Sequence, residues 1–98
     1  MRRPSQLTQL IWDFYRENPK ELEELQLLAK CKVFRRWGIL HIQCSNPEMA
    51  EAIATAQILL KEPIAQMRLA QKIKISVKKM TVTVLDVKSE PSLHQKLR

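Results

Sequence analysis

The hydrophobic period of the chain switches from helical spacing to two near Cys31, back to helical at Pro47, and to two again at Lys72. Leu7, Leu10, Ile11, Phe14 and Tyr15 recur at helical spacing behind Ser5, predicting an amphipathic helix over 6–17 with Ser5 as N-cap. Asn18-Pro19 interrupts it, because proline disfavours helical geometry at the residue before it and suits the first position of a new helix. Asn18-Pro-Lys-Glu21 has the form of a capping box, and Leu22, Leu25 and Leu28 supply an apolar stripe, so a second short helix is expected over 19–28.

Cys31 and Val33 then alternate with Lys30, Lys32 and Phe34, and Leu40, Ile42 and Cys44 alternate with His41 and Gln43. Between them Arg35-Arg36-Trp37-Gly38 reads as a turn, which makes 30–44 a β-hairpin. Ser45-Asn46-Pro47-Glu48 places a capping side chain, a first-turn proline and an acid at the start of a long helix, expected over 47–61. Pro63 is expected to break or kink it, since proline removes a helical donor and clashes with the preceding turn; Ile64, Met67 and Leu69 then resume it to about Ala70. Ile73, Ile75 and Val77 form a strand, the phase slips at Lys78-Lys79, and Met80, Val82 and Val84 begin another.

The predicted fold is α+β, in the order α-α-β-β-α-β(-β), with helices on one face of a three- or four-stranded sheet. Cys31, Val33, Leu40, Ile42, Cys44, Ile73, Ile75 and Val77 would form the covered face. One domain spans 6–87, with a basic arm at 1–5 and a loose tail at 88–98. A length of 98 residues suits a single core and excludes a two-domain enzyme with an interdomain cleft.

Charge changes this picture. Lys and Arg total 17 against 10 Asp and Glu, a net charge of +7, which points to an acidic partner. The cations are segregated. Lys30, Lys32, Arg35 and Arg36 occupy 25–47 without an acid, and Arg68, Lys72, Lys74, Lys78 and Lys79 occupy 63–85 without one. Asp13, Glu17, Glu21, Glu23 and Glu24 fall in the first two helices. By strand parity Lys30, Lys32, Phe34, Arg36, His41, Gln43, Lys74, Ser76 and Lys78 point away from the core. A basic sheet face with aromatic residues is what phosphate neutralisation and base stacking require. The candidate nucleic-acid contacts are therefore Lys32, Arg35, Arg36, Lys74, Lys78 and Lys79, with Phe34 and Trp37 to stack. Solvated edge protection and an acidic protein partner are the competing readings of the same charges.

The alternative function is a protein-interaction adaptor. Its surface would be the first helix, through Trp12, Asp13 and Arg16, with Trp12 off the apolar stripe as an exposed anchor, or the last strand, whose edge recruits a partner strand or a second copy. Phe14 is expected in the core. No enzyme is expected. Cys31, Cys44, His41 and His94 match no zinc spacing, so no metal and no cofactor are anticipated, and the cysteines are read as packing residues. One glycine, Gly38, excludes Gly-rich phosphate loops and dinucleotide fingerprints. Neither a signal peptide nor a membrane span is expected, which suggests a cytoplasmic protein with reduced thiols.

The stretch Gly38-Ile-Leu-His-Ile-Gln-Cys-Ser-Asn-Pro-Glu-Met-Ala-Glu-Ala-Ile, followed by a helix and Lys72-Ile-Lys-Ile-Ser-Val, resembles the N-terminal domain of the replication initiator DnaA. It is similar also to the helicase-loader family DciA, and Trp12 fits the first helix of the DnaA-like pattern. The resemblance covers about 6–79 and implies a KH-like domain in a replication-type assembly, with contacts to a helicase or to nucleic acid. A GxxG loop gripping RNA is excluded, because Gly38 stands alone.

Overall fold

The period-two segments pair into one sheet. The computed structural model describes residues 5–87, so most of the expected arm and all of the expected tail lie outside the described residues. Strands β1 (Lys32–Arg36), β2 (Ile39–Cys44), β3 (Lys72–Val77) and β4 (Met80–Asp86) lie in the order β1-β2-β3-β4. β1 and β2 are antiparallel, as are β3 and β4, while β2 and β3 run parallel. A parallel pair needs a crossover, and the chain makes it through two helices, α3 (Pro47–Thr55) and α4 (Gln57–Gln66). The α+β architecture expected from the pattern is the one observed.

Ahead of the sheet come α1 (Gln6–Phe14), α2 (Pro19–Glu24) and a 3₁₀ segment, Gln26–Lys30. Ser5 caps α1 as expected, its Oγ accepting the Thr8 N–H at 3.2 Å. α1 stops at Phe14, three residues early, because the N–H groups of Tyr15 and Arg16 donate to carbonyls three residues back and tighten the last turn. Asn18 makes no side-chain cap; only its carbonyl serves α2, accepting the Leu22 N–H at 3.0 Å. The expected helix over 19–28 divides at Leu25, whose carbonyl accepts the indole N–H of Trp12 at 2.9 Å. Asn46 does cap α3, its Oδ1 accepting the Met49 N–H at 2.8 Å.

The long helix breaks at Ala56, not at Pro63. Two side chains compete for carbonyls there. Thr55 Oγ1 donates to the Glu51 carbonyl at 2.9 Å, and Gln57 Nε2 donates to that of Ala54 at 3.1 Å, the kind of back-bonding that bends helices. Pro63 sits buried inside α4. The donor it lacks would have served the carbonyl of Leu59 four residues back. The Tyr15 hydroxyl donates to that carbonyl at 2.8 Å, so the proline is accommodated by the residue that closes α1.

The core lies between the helices and one sheet face. Ile11, Leu40, Ile42, Ala50, Leu60, Ile64, Ile73 and Ile75 are fully buried, and Leu25, Leu28, Val33 and Ile53 nearly so. Of the expected covered face only Val77 keeps partial exposure. Phe14 departs from expectation: it is 39% exposed at the end of α1, its ring edge-on to Tyr15, which takes the core position instead. Cys31 and Cys44 are buried free thiols with Sγ atoms 3.7 Å apart, which agrees with a packing role. Burial, then the neighbouring Cys44, pushes the Cys31 thiol up to about 12.

Candidate nucleic-acid interface

Cross-strand partners share a face of a sheet, so the register identifies what the uncovered side displays. Three rows cross it. Lys32 aligns with Gln43, Ser76 and Thr81; Phe34 with His41, Lys74 and Val84; Arg36 with Ile39, Lys72 and Asp86. The face therefore carries Lys32, Arg36, Lys72 and Lys74 against one carboxylate among the described residues, Asp86. That carboxylate is bonded to Lys72 Nζ at 2.7 Å, and the hydrogen bond and charge of Lys72 hold it below the usual carboxylate range.

At the centre of the face the rings of Phe34 and His41 stack, 4.8 Å between centroids and 2° from parallel. Lys32 Nζ lies 5.7 Å from the Phe34 centroid, a cation–π distance. His41 is held below its ordinary value, first by desolvation and then by the charges of Lys74 and Arg36. The imidazole thus sits among cations that disfavour its own protonation.

Of the eight residues expected to touch nucleic acid, Lys32, Phe34, Arg36 and Lys74 are together on this face. Arg35 is not. Its partner in the register is Leu40, which belongs to the covered face, and its Nη1 donates to the Leu69 carbonyl at 3.0 Å. Alternate residues of a strand take opposite faces, which separates Arg35 from the other four. Trp37 stands at the tip of the first hairpin, 90% exposed. Lys78 and Lys79 form the turn between β3 and β4, at the opposite end of the sheet, where they resolve the phase slip as a tight turn. A separate register shift falls beside it, between Ile75 and Ser76, and leaves Val82 as the extra residue of β4.

The proposed partner surface on α1 divides as well. Trp12 is half-buried, packed against the core and hydrogen-bonded to Leu25, so it is no exposed anchor. Asp13 and Arg16 are exposed and line a shallow depression of about 280 Å³ with Phe14, Glu17 and Asn18.

Two further cations lie outside the expected contacts, Lys72 on the open face and Arg68 at the end of α4. Lys72 shares parity with Lys74, so the period itself marks it. Arg68 belongs to the acid-free basic stretch over 63–85, but nothing local marks its conformation; it closes α4 left-handed, φ 53°, where glycine is the usual residue. The N–H of Leu69 donates to Ile64 and that of Arg68 to Ala65, completing a Schellman motif around it. Trp37 at φ 56°, Lys78 at 50° and Lys79 at 78° are left-handed too, so four cationic or aromatic residues occupy positions that favour glycine.

Among the described residues no group of three or more His, Cys, Asp or Glu side chains could hold a metal, and no helix is long and apolar enough to cross a membrane. No protein-family model, curated protein or solved structure matches this chain.

Proposed function

We propose that the protein is a non-enzymatic module that binds nucleic acid through the uncovered face of its sheet. The observation that carries this reading is the register: Lys32, Arg36, Lys72 and Lys74 project from one face, while the helical elements carry most of the acids. A polyanion laid on that face meets cations held at fixed spacing by a rigid sheet and releases its own counterions on binding. The left-handed lysines at Lys78 and Lys79 extend the basic strip beyond the end of β3. The resemblance to the DnaA N-terminal domain and to DciA adds the setting, a replication-type assembly in the cytoplasm with a helicase as a further partner.

The test is a salt-titrated binding series with single- and double-stranded DNA and RNA. Binding is expected at low salt, and Arg36→Glu with Lys74→Glu should weaken it at least about tenfold and flatten the salt dependence by roughly 0.7–0.9 in log–log slope per cation removed. Absence of binding at low salt, or binding indifferent to the double variant, overturns the reading.

A second reading is favoured by β4. This edge strand leaves Met80 73%, Val82 51% and Val84 50% exposed, and no Lys, Arg or Pro lies within it. Such an edge pairs readily with another strand, here that of a second copy. Sedimentation at high concentration distinguishes the two: a strict monomer removes the dimer and leaves the polyanion reading intact.

A further inference from the structure

Two of the residues in left-handed conformation belong to one end of the molecule. Trp37 and Gly38 are the central pair of the first hairpin, with φ of 56° and 73°, the arrangement of a type I′ turn. That turn favours Asn-Gly, yet an indole with 90% of its surface in water occupies the first position. The turn is also tied down. The Gln71 N–H donates to the Gly38 carbonyl at 2.8 Å, and the Val87 N–H to that of Gln71 at 3.0 Å. Between the hairpin tip and the segment after α4 lies a cleft of about 640 Å³, lined by Gly38, Ala65, Arg68, Leu69, Gln71 and Val87 among others. This volume falls within the range of about 300–1,000 Å³ typical of small-ligand sites.

The other aromatic residue of the basic surface is not free to stack. Phe34 has His41 parallel to it at 4.8 Å, and the Lys32 ammonium over its ring at 5.7 Å. Trp37 has neither kind of cover.

We infer that the hairpin tip is a site for one unpaired nucleotide: the indole of Trp37 stacks on the base, the adjoining cleft, which Arg68 lines, receives it, and Arg36 holds a flanking phosphate. The inference rests on the reading of the open face as a polyanion surface and narrows it to single strands. In a duplex each base is already stacked and paired, so the indole gains a partner only where bases are unstacked. Arg36 lies on the open face one residue before Trp37, so a strand running along the sheet reaches the tip without leaving the basic strip. An exposed tryptophan in a left-handed turn costs stability, which argues for a ligand that uses it.

The experiment compares three probes of about 20 units with the full chain: oligo-thymidylate, an abasic strand with the same backbone, and a duplex. Oligo-thymidylate should bind about 10- to 100-fold tighter than the abasic strand, the usual value of one stacked base. Trp37→Ala should remove that advantage while leaving abasic and duplex binding within about twofold, and Trp37→Phe should restore most of it. Equal binding of the thymidylate and abasic strands, with Trp37→Ala neutral, overturns the nucleotide site and leaves the polyanion surface standing. No binding of any probe at low salt removes both. Because the indole is exposed, folding of each variant can be verified by its unfolding curve, and a selective loss in a folded variant is attributable to the tip.

Discussion

The two faces of this sheet are made by the same strands from alternate residues, and they obey different rules. On the covered face Leu40, Ile42, Ile73 and Ile75 have no exposure, and every change in volume must be absorbed by neighbours packed at crystal-like density. On the open face Lys32, Arg36 and Lys72 stand in solvent and Lys74 is half-buried, and the same backbone holds them outside the apolar core. The difference teaches where selection for folding ends. A small domain must spend its period-two apolar positions on stability, which leaves the intervening positions available for a ligand.

The largest expected effect separates the faces directly. Ile75 and Lys74 are adjacent on β3, one fully buried and one on the basic row. Ile75→Ala should cost about 2–5 kcal/mol by lost transfer energy and the cavity it leaves. Lys74→Ala should change stability by no more than about 0.5 kcal/mol, as surface substitutions usually do, while reducing polyanion affinity. Urea unfolding measures both. A Lys74 variant as damaging as the Ile75 variant would mean that the open face contributes to the fold, and the division would fail.

The faces should also differ in the sign of their pH dependence. Burial pushes the Tyr15 hydroxyl and the Cys31 thiol up to about 12 and raises Cys44 as well. A raised acid contributes stability that is full below its unfolded value and is lost as pH rises toward the folded one, so the covered side should weaken from about pH 9 upward. His41 is lowered, by burial and then by Lys74 and Arg36. Its contribution is present above its ordinary value of 6.5 and is lost as pH falls through it, because the unfolded chain then binds the proton more readily. Stability should therefore peak between about pH 7 and 9. His41→Gln should flatten the acid limb alone, and Tyr15→Phe part of the alkaline limb alone. Unfolding curves from pH 5 to 11 check the assignment, and a His41 variant that alters the alkaline limb would contradict it.

Much of this fold is legible in the sequence because period two survives any tertiary context. Cys31 to Cys44 and Lys72 to Val77 alternate cleanly, and the faces follow from parity. What escapes is set by contacts between distant residues. Nothing near Pro63 announces that Tyr15, 48 positions earlier, donates to the carbonyl the proline abandons. The sequence offers both Phe14 and Tyr15 at core spacing, and the partner elements decide that Tyr15, just past the end of α1, is buried. The candidate site divides the same way. Lys32, Arg36 and Lys74 are placed by alternation; Arg35 reads as part of the turn, but the strand pairing extends through it to Arg36 and sets it opposite Leu40. Arg68 and the cleft beside Gly38 depend on how the segment after α4 returns to the hairpin, a tertiary event without a local signature.

The smallest expected effect bears on why the open side keeps its side chains. Arg68 and Lys79 adopt φ of 53° and 78°, where a Cβ costs about 1–2 kcal/mol in the left-handed region. Glycine removes that cost but loses more freedom on folding, so Arg68→Gly and Lys79→Gly should each raise stability by a net of about 0.5 kcal/mol. Both should weaken single-strand binding, by different routes. Lys79 lies at the end of the sheet remote from Trp37, so its loss should reduce affinity for thymidylate and abasic strands alike. Arg68 lines the cleft beside Gly38, and its loss should fall harder on the thymidylate strand, whose base the cleft receives. Glycine variants that gain stability and keep full affinity would mean that the strained cations serve no ligand. Variants that lose both would mean that these side chains stabilise the turns, and that the open side shares the burden of folding with the covered one.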